Sequence, residues 1–558
     1  MTLPTRTDRP THLLDVMHES RSSHTPHLSV WTAGRFEHLT WDDWRSQADR
    51  CARGARALGI HQQKPVPCVL TNSPAVCAAI PGLWLAGGCV ASLPTPARGM
   101  SLEGYIRQLA SILDRLDADI LLMEQAYADA LPPDVIPGVR VVTFESLLGS
   151  GPAYAEVPSA EQVIFVQYSS GSTGEPRGCM LQARAIEAQL DILAEGLSLD
   201  PVNDQGVMWL PLSHDMGLFG CLMLSFVKGL RLVISTPERF IRSPRTWLSD
   251  CADFQATITA APNFALDLAS RAARVSPPRH FPMRKCVIGG ERIEPATIAC
   301  ATTVLGASGL AAKSLVPAYG LAEAVLAVTM TALDKEPRVV TVDSASLLEG
   351  QFEPRDDEIQ SSDGTSPPGV TRLVSNGVPL RGVEVDVHGG DIGEIWVRSP
   401  ALTLGYVNDP AATDTRLHDG VLHTRDLGFQ HDGELYVYGR SDDMINYAGR
   451  NIWARDIEAA ITASLPIRPG SCALIDVHDD GGQRLVVVAE PATSVTDFTM
   501  LASSASRVAY ESAGINVHEC LVVRPGTVPK TPSGKIQRFR CRSLTDPDAV
   551  TPLARVVS

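Results

Sequence analysis

The sequence predicts an α/β fold: a large N-terminal domain of doubly wound sheets with a β-rich subdomain, followed by a small, mobile α+β domain. Three observations predict it. Apolar runs repeatedly stop in loops rich in Gly, Ser or His-Asp and then resume with helical spacing, the pattern of strands and crossover helices in a largely parallel sheet. From Thr371 onward the pattern changes to short strands with turn signals between them. After a polar stretch bounded by glycines, residues 439–450 (GRSDDMINYAGR), a unit mixing helices and strands closes the chain. The 558 residues exceed one ordinary core. The divisions read from these shifts are 1–439 for the large domain, 440–442 for a hinge and 443–558 for the small domain.

The net charge of -15 argues against nucleic acid or an anionic membrane as the main partner, and an acidic protein partner would need a local basic patch. Twelve cysteines lie scattered, with no CxxC pair and no leader-like stretch ahead of them, which predicts reduced thiols in a cytoplasmic protein rather than disulfides or zinc. Residues 65–94 are the most apolar long region, but Asn72, Pro74 and Pro81 interrupt it, so no membrane insertion is expected.

In chain order, the polar residues up to about Ser29 suggest a segment that wraps the surface or frays. A helix is expected over 41–58 (Trp44, Ala48, Cys51, Ala55), a strand over 65–70 and a helix over 75–87. Residues 163–178 (VIFVQYSSGSTGEPRG) read as a buried strand that feeds a phosphate loop. Gly171 and Gly174 allow successive N–H groups to converge on an anion, and Ser169, Ser170, Ser172 and Thr173 add hydroxyl donors. Taken alone, an ordinary glycine-serine turn fits equally well; the GxxxxGK[ST] pattern of a P-loop NTPase is absent. Ile186, Leu190 and Leu193 place a helix within 179–197.

Residues 207–220 (VMWLPLSHDMGLFG) follow the same plan, with His214 at the strand's carboxyl end, either beside a substrate carboxylate or capping the next helix with Asp215. Strand-to-loop transitions recur at 257–268 and 286–293, the second with Gly289 and Gly290, where the backbone can approach a flat ring. In 316–325 (VPAYGLAEAV) Tyr319 and Glu323 share a face if the stretch is helical. Residues 333–369, acidic and Ser/Pro-rich, read as an insertion with a flexible tail, and about 371–438 as the β-rich subdomain. There Asp426, in HTRDLGF, is either a ribose acceptor or a solvated turn residue. In the last unit, a helix over 456–465, strands near 471–477 and 484–490 and a helix near 498–511 precede VPKTPSGKIQR, which holds two of the chain's seven lysines, Lys530 and Lys535.

In that order, SSGSTGEPRG, PLSHDMGL, AYGLAEA, GEIWV, TRDLGF, GELYVYGRSDDMI and PKTPSGKIQR resemble the adenylate-forming enzymes, which include acyl-CoA synthetases, firefly luciferase and peptide synthetase adenylation domains. APNFALDL, VDSASLLEG, LVSNGVP and GRNIWARDIE look most like the fatty acyl-AMP ligases within that group. The resemblance implies that ATP and a fatty or related carboxylic acid yield an acyl-adenylate, whose acyl group passes to the phosphopantetheine thiol of an acyl carrier protein. The insertion implies poor use of coenzyme A.

By resemblance, Ser169 to Gly174 and Arg177 cradle the phosphates, Glu323 binds magnesium with Thr173 as a second contact, and His214 adjoins the acid. Tyr319 stacks on adenine, with the backbone of Gly289, Gly290, Glu291, Ala318 and Gly320 nearby. Asp426 and Arg440 hold the ribose, Lys535 bridges carboxylate and α-phosphate, Asp442 is the hinge, and Gly449 faces the pantetheine arm. Arg177 stands where the family usually has lysine, Arg425 where it has glycine, and Gln182 and Ala183 where a serine or threonine and a histidine are common. An acyl-CoA synthetase and a non-catalytic nucleotide-binding homologue are the alternatives.

Overall fold

The computed structural model describes residues 11–18, 26–60, 64–96, 100–132, 135–149, 158–168, 177–355, 369–447, 450–479, 482–530, 536–546 and 549–557. Two sheets organise the large unit. The nine-stranded one is built around the parallel strands Leu315–Gly320, Lys285–Ile288, Ile258–Ala261, Gln205–Met208 and Arg231–Ile234. The six-stranded one runs Arg140–Thr143, Ile120–Met123, Pro65–Val69, Cys89–Leu93, Val163–Tyr168, Gly178–Gln182, and only its last pair is antiparallel. Covered on both faces, such strands must be continuously apolar, and Val90, Ala91, Leu93, Ile164, Phe165 and Val166 are all buried.

Helix Pro74–Leu85 is apolar all round because ten of its twelve residues are buried. The Trp84 indole N–H donates to the Ile164 carbonyl at 2.9 Å and that of Trp44 to Cys77 at 2.9 Å, which locks the helix to the phosphate-loop strand on one side and to helix Trp41–Ala57 on the other. Thr40 starts the latter helix with a reciprocal cap: its hydroxyl accepts from the Asp43 N–H at 3.1 Å, and its own N–H donates to the Asp43 carboxylate at 3.0 Å.

Three local expectations are corrected. Residues 178–182 form a strand antiparallel to Val163–Tyr168, so the helix begins only at Ala183; Cys179 and Leu181 are apolar enough to bury, and a hairpin uses them at the sheet edge. The N-terminal segment does not merely cover the surface: Leu13, Leu14, Val16 and Met17 are buried and Leu28–Thr32 joins the nine-stranded sheet. Tyr319 and Glu323 do not share a helix, since Tyr319 lies in strand Leu315–Gly320 and Glu323 in the one-turn 3-10 helix Ala322–Ala324.

In the β-rich part, strands Val421–His431 and Glu434–Arg440 are joined through Asp432 and Gly433, both at positive φ (51° and 77°), as a two-residue hairpin with the right twist requires. Asp426 therefore sits in a strand, not in a solvated turn. The insertion contributes Val339–Asp343, paired antiparallel with Val370–Val374, and helix Ser344–Leu348 capped by Asp343; its tail at 356–368 lies outside the described residues. Val340, Val342 and Leu347 bury into one cluster with Phe429, Tyr436, Tyr438 and Trp453, so the insertion shares a core with the subdomain and with the C-terminal unit.

The C-terminal unit is a sheet ordered Ile467–Asp479, Gly482–Pro491, Glu519–Val522, Ala554–Val557, with helices Ala454–Ser464 and Phe498–Ala513 packed through Leu474, Val487, Ile461 and Ala505. It meets the large unit through the Trp453 ring, which lies over Gly439, where a Cβ would approach it to 2.7 Å. Around it the Tyr438 hydroxyl donates to Asp456 at 2.9 Å, Arg292 pairs with Asp456 at 3.2 Å, and Arg455 with Glu294 at 3.6 Å.

Asn72 fixes the backbone that leads to His214. Its buried amide donates to the carbonyls of Leu210 (2.9 Å) and Ser235 (2.8 Å) and accepts from the Leu212 N–H (3.0 Å). Asn72→Leu strands all three groups, so denaturant unfolding is expected to show a loss of about 2–4 kcal/mol; a loss below about 0.5 kcal/mol, the scale of a neutral surface change, would contradict this account.

Candidate active site

One cavity of about 930 Å³ collects the carboxyl ends of strands from both sheets: Ser92, Gln167 and Tyr168 from one, Ala260, Val287 and Ala318 to Gly320 from the other. A crevice beyond strand carboxyl ends is where open α/β sheets place ligands, because loops of free composition begin there. The C-terminal unit closes it with Arg455, Asp456, Glu458, Gln537 and Arg538.

At its centre the Tyr319 hydroxyl donates to Asp426 Oδ2 at 2.6 Å, and the Arg440 guanidinium lies 3.5 Å from the other carboxylate oxygen. Burial pushes the Asp426 carboxyl up, with Arg440 and the tyrosine hydrogen bond opposing it; burial and then the Asp426 charge push the Tyr319 phenol far above its usual range. Arg425, just before Asp426, has φ +59°, a left-handed conformation that glycine takes without cost, and its N–H donates to Glu394 at 2.7 Å. The glycine expected there by resemblance thus has a backbone reason, and the arginine holds the same turn against it.

Glu323 lies beside this pair. The Tyr406 hydroxyl donates to its Oε1 at 2.7 Å, and the buried Arg416 guanidinium is 3.8 Å away while also donating to the Thr424 carbonyl at 2.8 Å. Sequence reasoning missed Tyr406 and Arg416; 83 residues separate Tyr406 from Glu323, and no local pattern links them. Arg292, Asp456 and Arg538 were missed for the same reason, although Arg538 stands inside VPKTPSGKIQR.

Gly289 and Gly290 pass close to the opposite wall: a Cβ on Gly289 would lie 3.2 Å from the Ala318 carbonyl oxygen, and Gly290 has φ +77°. The Glu291 carboxylate accepts the N–H of Phe264 at 2.7 Å at the start of helix Asn263–Val275, and Glu291 also lines the cavity. His214 does cap: its Nδ1 accepts from the Met216 N–H at 3.4 Å and lies 2.6 Å from Asp215, while its ring still lines the cavity. Arg177, 3.5 Å from Asp409 and 5.9 Å over the Tyr406 ring, stands at the phosphate-loop side. Leu193, Leu197, Met216, Leu326 and Met330 give the cavity an apolar part of its lining. Ser169, Ser170, Gly171, Ser172, Thr173, Gly174, Gly449 and Lys535 lie outside the described residues, as does the side chain of Asp442, whose backbone belongs to the 3-10 turn Ser441–Asp443.

The fold recurs among known proteins. The AMP-binding enzyme family matches residues 19–407. A putative fatty-acid--CoA ligase, fadD25, of Mycobacterium tuberculosis is 32% identical over 428 residues, 70% of this chain and 71% of its own. The long-chain-fatty-acid--AMP ligase FadD32 of Mycolicibacterium smegmatis is 29% identical over 81% of this chain and 80% of its own. A solved structure from studies of fatty acyl-adenylate ligases of E. coli and L. pneumophila superposes with a TM-score of 0.83 at 23% identity, covering 97% of this chain and 98% of that one. With a family match that spans well over half its length, the chain belongs to the AMP-binding enzymes.

Proposed function

We propose that the protein activates a fatty or related carboxylic acid with ATP, releasing pyrophosphate, and passes the acyl group from the adenylate to the phosphopantetheine thiol of an acyl carrier protein. The observation that carries this reading is one cavity whose lining joins the apolar Leu193, Leu197 and Met330 to the buried Tyr319–Asp426 pair and to the C-terminal unit. An apolar chain, a nucleoside and a mobile domain's catalytic group are what acid adenylation must bring together. The names of the ligases among the relatives support the substrate class.

In the first half-reaction a carboxylate oxygen forms a bond to the α-phosphorus as the bond to pyrophosphate breaks. Two anions must meet, so the site's work is positioning and charge neutralisation. In this proposal Asp426 and Arg440 hold the ribose hydroxyls, and the Tyr319 ring packs against adenine beside Gly289 and Gly290. Ser169 to Gly174 with Arg177 take the terminal phosphates, and Lys535 bridges the carboxylate and the α-phosphate. Glu323 suits magnesium: a lone carboxylate beside substrate phosphates is the donor set this ion accepts, with Thr173 as a further contact. When bound, magnesium neutralises charge on the triphosphate.

In the second half-reaction the thiol sulfur bonds to the acyl carbon, the carbon–oxygen bond to AMP breaks, and the thiol proton is lost. Rotation about Asp442 withdraws Lys535 and turns Gly449 toward the arm. The insertion, buried against Phe429, Tyr436 and Trp453, resists that rotation unless a docked carrier compensates, which supports a carrier over free coenzyme A. A relative named as a CoA ligase keeps the synthetase reading in play. Mass spectrometry of Mg-ATP reactions over acids of graded length, each split between coenzyme A and a phosphopantetheinylated carrier, decides: acyl-carrier product with little acyl-CoA is expected, and abundant acyl-CoA would overturn it.

Two variants test the parts. Lys535→Ala is expected to slow acid-dependent pyrophosphate release by about 10²–10³-fold with ATP affinity nearly unchanged, and undiminished release would remove Lys535 from the mechanism. Gly220 lines the cavity from the π-helical stretch Leu218–Met223, where a Cβ would already lie 2.9 Å from Leu326 Cδ2, beside the apolar lining assigned to the acyl chain. Gly220→Leu is expected to lower activity on long acids by about tenfold or more and spare short ones; equal activity across the series would place the acyl chain elsewhere.

A further inference from the structure

The acidity of the chain is unevenly spread. Residues 443–558 carry twelve Lys and Arg against twelve Asp and Glu, so the whole net charge of -15 resides in residues 1–442. Within the neutral unit, residues 521–545 contain Arg524, Lys530, Lys535, Arg538, Arg540 and Arg542 and not one acid. Where such a block faces solvent, its positive field attracts an acidic partner.

The fold brings the described part of this block to one place. Helices Ala454–Ser464 and Phe498–Ala513 cover one face of the four-stranded sheet; on the other, Ala473, Ile475, Val486, Val488 and Leu521 are covered by Val523, Val528, Ile536 and Cys541. After strand Glu519–Val522 the chain turns back across the sheet: the Val528 N–H donates to Glu490 at 2.9 Å, and Lys530 Nζ donates to the Ser471 hydroxyl at 2.8 Å. Helix Arg538–Cys541 then packs against strand Ile467–Asp479, and Cys541 is fully buried beside Val523 and Val528. The two cation-bearing segments are thus held side by side, with Arg524 and Arg542 exposed and Lys530 and Arg540 half-buried. Of the acids close by, Glu490 and Glu458 are buried and already paired, with Arg468 at 2.8 Å and with Arg538 at 2.7 Å, while the exposed Asp546, just beyond Arg542, offsets only part of the block.

Position gives the ridge its meaning. Ile536, Gln537 and Arg538, which immediately precede Arg540 and Arg542, line the cavity itself. A protein docked on this ridge stands at the cavity's edge on the unit that has to move between the two half-reactions. We propose that Arg524, Lys530, Arg540 and Arg542 form the docking surface for the acyl carrier protein, a small acidic helical protein that delivers its phosphopantetheine thiol from there; this rests on the carrier reading above. Charge complementarity of this kind acts on encounter and orientation rather than on chemistry.

The test uses the full chain with Mg-ATP and an accepted acid, comparing wild type with Arg524→Glu/Arg542→Glu and with Arg542→Glu alone. The thiols are free pantetheine and a phosphopantetheinylated acidic acyl carrier protein. The variants are expected to release pyrophosphate and acylate pantetheine as wild type does, while the KM for the carrier rises about tenfold or more and loses its salt dependence. Arg524→Lys/Arg542→Lys is expected to behave as wild type, because the charge and not its geometry is read. An unchanged carrier KM in both glutamate variants would overturn the docking surface alone. A wild-type protein that makes acyl-adenylate yet acylates no carrier would overturn the carrier reading itself. Variant-sensitive binding to anionic phospholipid vesicles, with carrier KM unaltered, would assign the ridge to a membrane surface and so also overturn it.

Discussion

A carboxylate cannot leave water without compensation, and Glu323, 8% exposed, sets what surrounds it. Tyr406 donates to it from the edge of the β-rich subdomain, and Arg416 approaches it from a short helix beside the same subdomain. Arg416 in turn holds the carbonyl of Thr424, whose hydroxyl accepts the N–H of Asp426 at 3.0 Å. Glu323 and Asp426, the groups proposed above for magnesium and for the ribose, are therefore two ends of one buried network. Because each member leaves a partner stranded when removed, damage at one end is expected to be felt at the other.

The join between the two units is of a different kind. Trp453 over Gly439 is an apolar contact at a pivot, whereas Arg292, Asp456, Arg455, Glu294 and Tyr438 form polar contacts around it. The Arg455–Glu294 pair is partly solvated, and such pairs are worth little and can be exchanged for water, whereas Arg292 and Tyr438 are more buried and hold Asp456 more firmly. The insertion adds the slower term, since moving Trp453 away opens a cluster that Val340, Val342 and Leu347 help to fill.

Much of this was legible in the chain. The strands and helices flanking residues 163–178, 207–220 and 286–293 announce themselves by apolar runs that end in glycine, serine or histidine, because both buried strands and their loops restrict composition locally. The hairpin strand Gly178–Gln182 escaped notice, since five residues at a sheet edge carry too little periodicity. The condition under which Tyr319 and Glu323 would share a helix face is not met: a four-residue spacing suits a helix, but a strand followed by a tight turn brings the same two residues to one cavity. Asp426 looked like a turn residue because the strand Val421–His431 bends there, at Arg425 with its positive φ, which no alternation pattern encodes. Tyr406, Arg416 and Arg292 act through partners far along the chain, and their roles exist only once the sheets are assembled.

The cysteines have a consequence outside catalysis. All twelve are free and eleven are buried, and burial drives the thiols of Cys520 and Cys541 up to about 12 and that of Cys472 well above its ordinary value. At these buried sites the thiol is both shielded and held protonated, so an alkylating reagent reads opening rather than surface reactivity there. Since Cys472, Cys520 and Cys541 belong to the C-terminal unit and the other buried thiols to the large one, peptide-resolved alkylation would time the breathing of each unit separately, using labels the chain already carries.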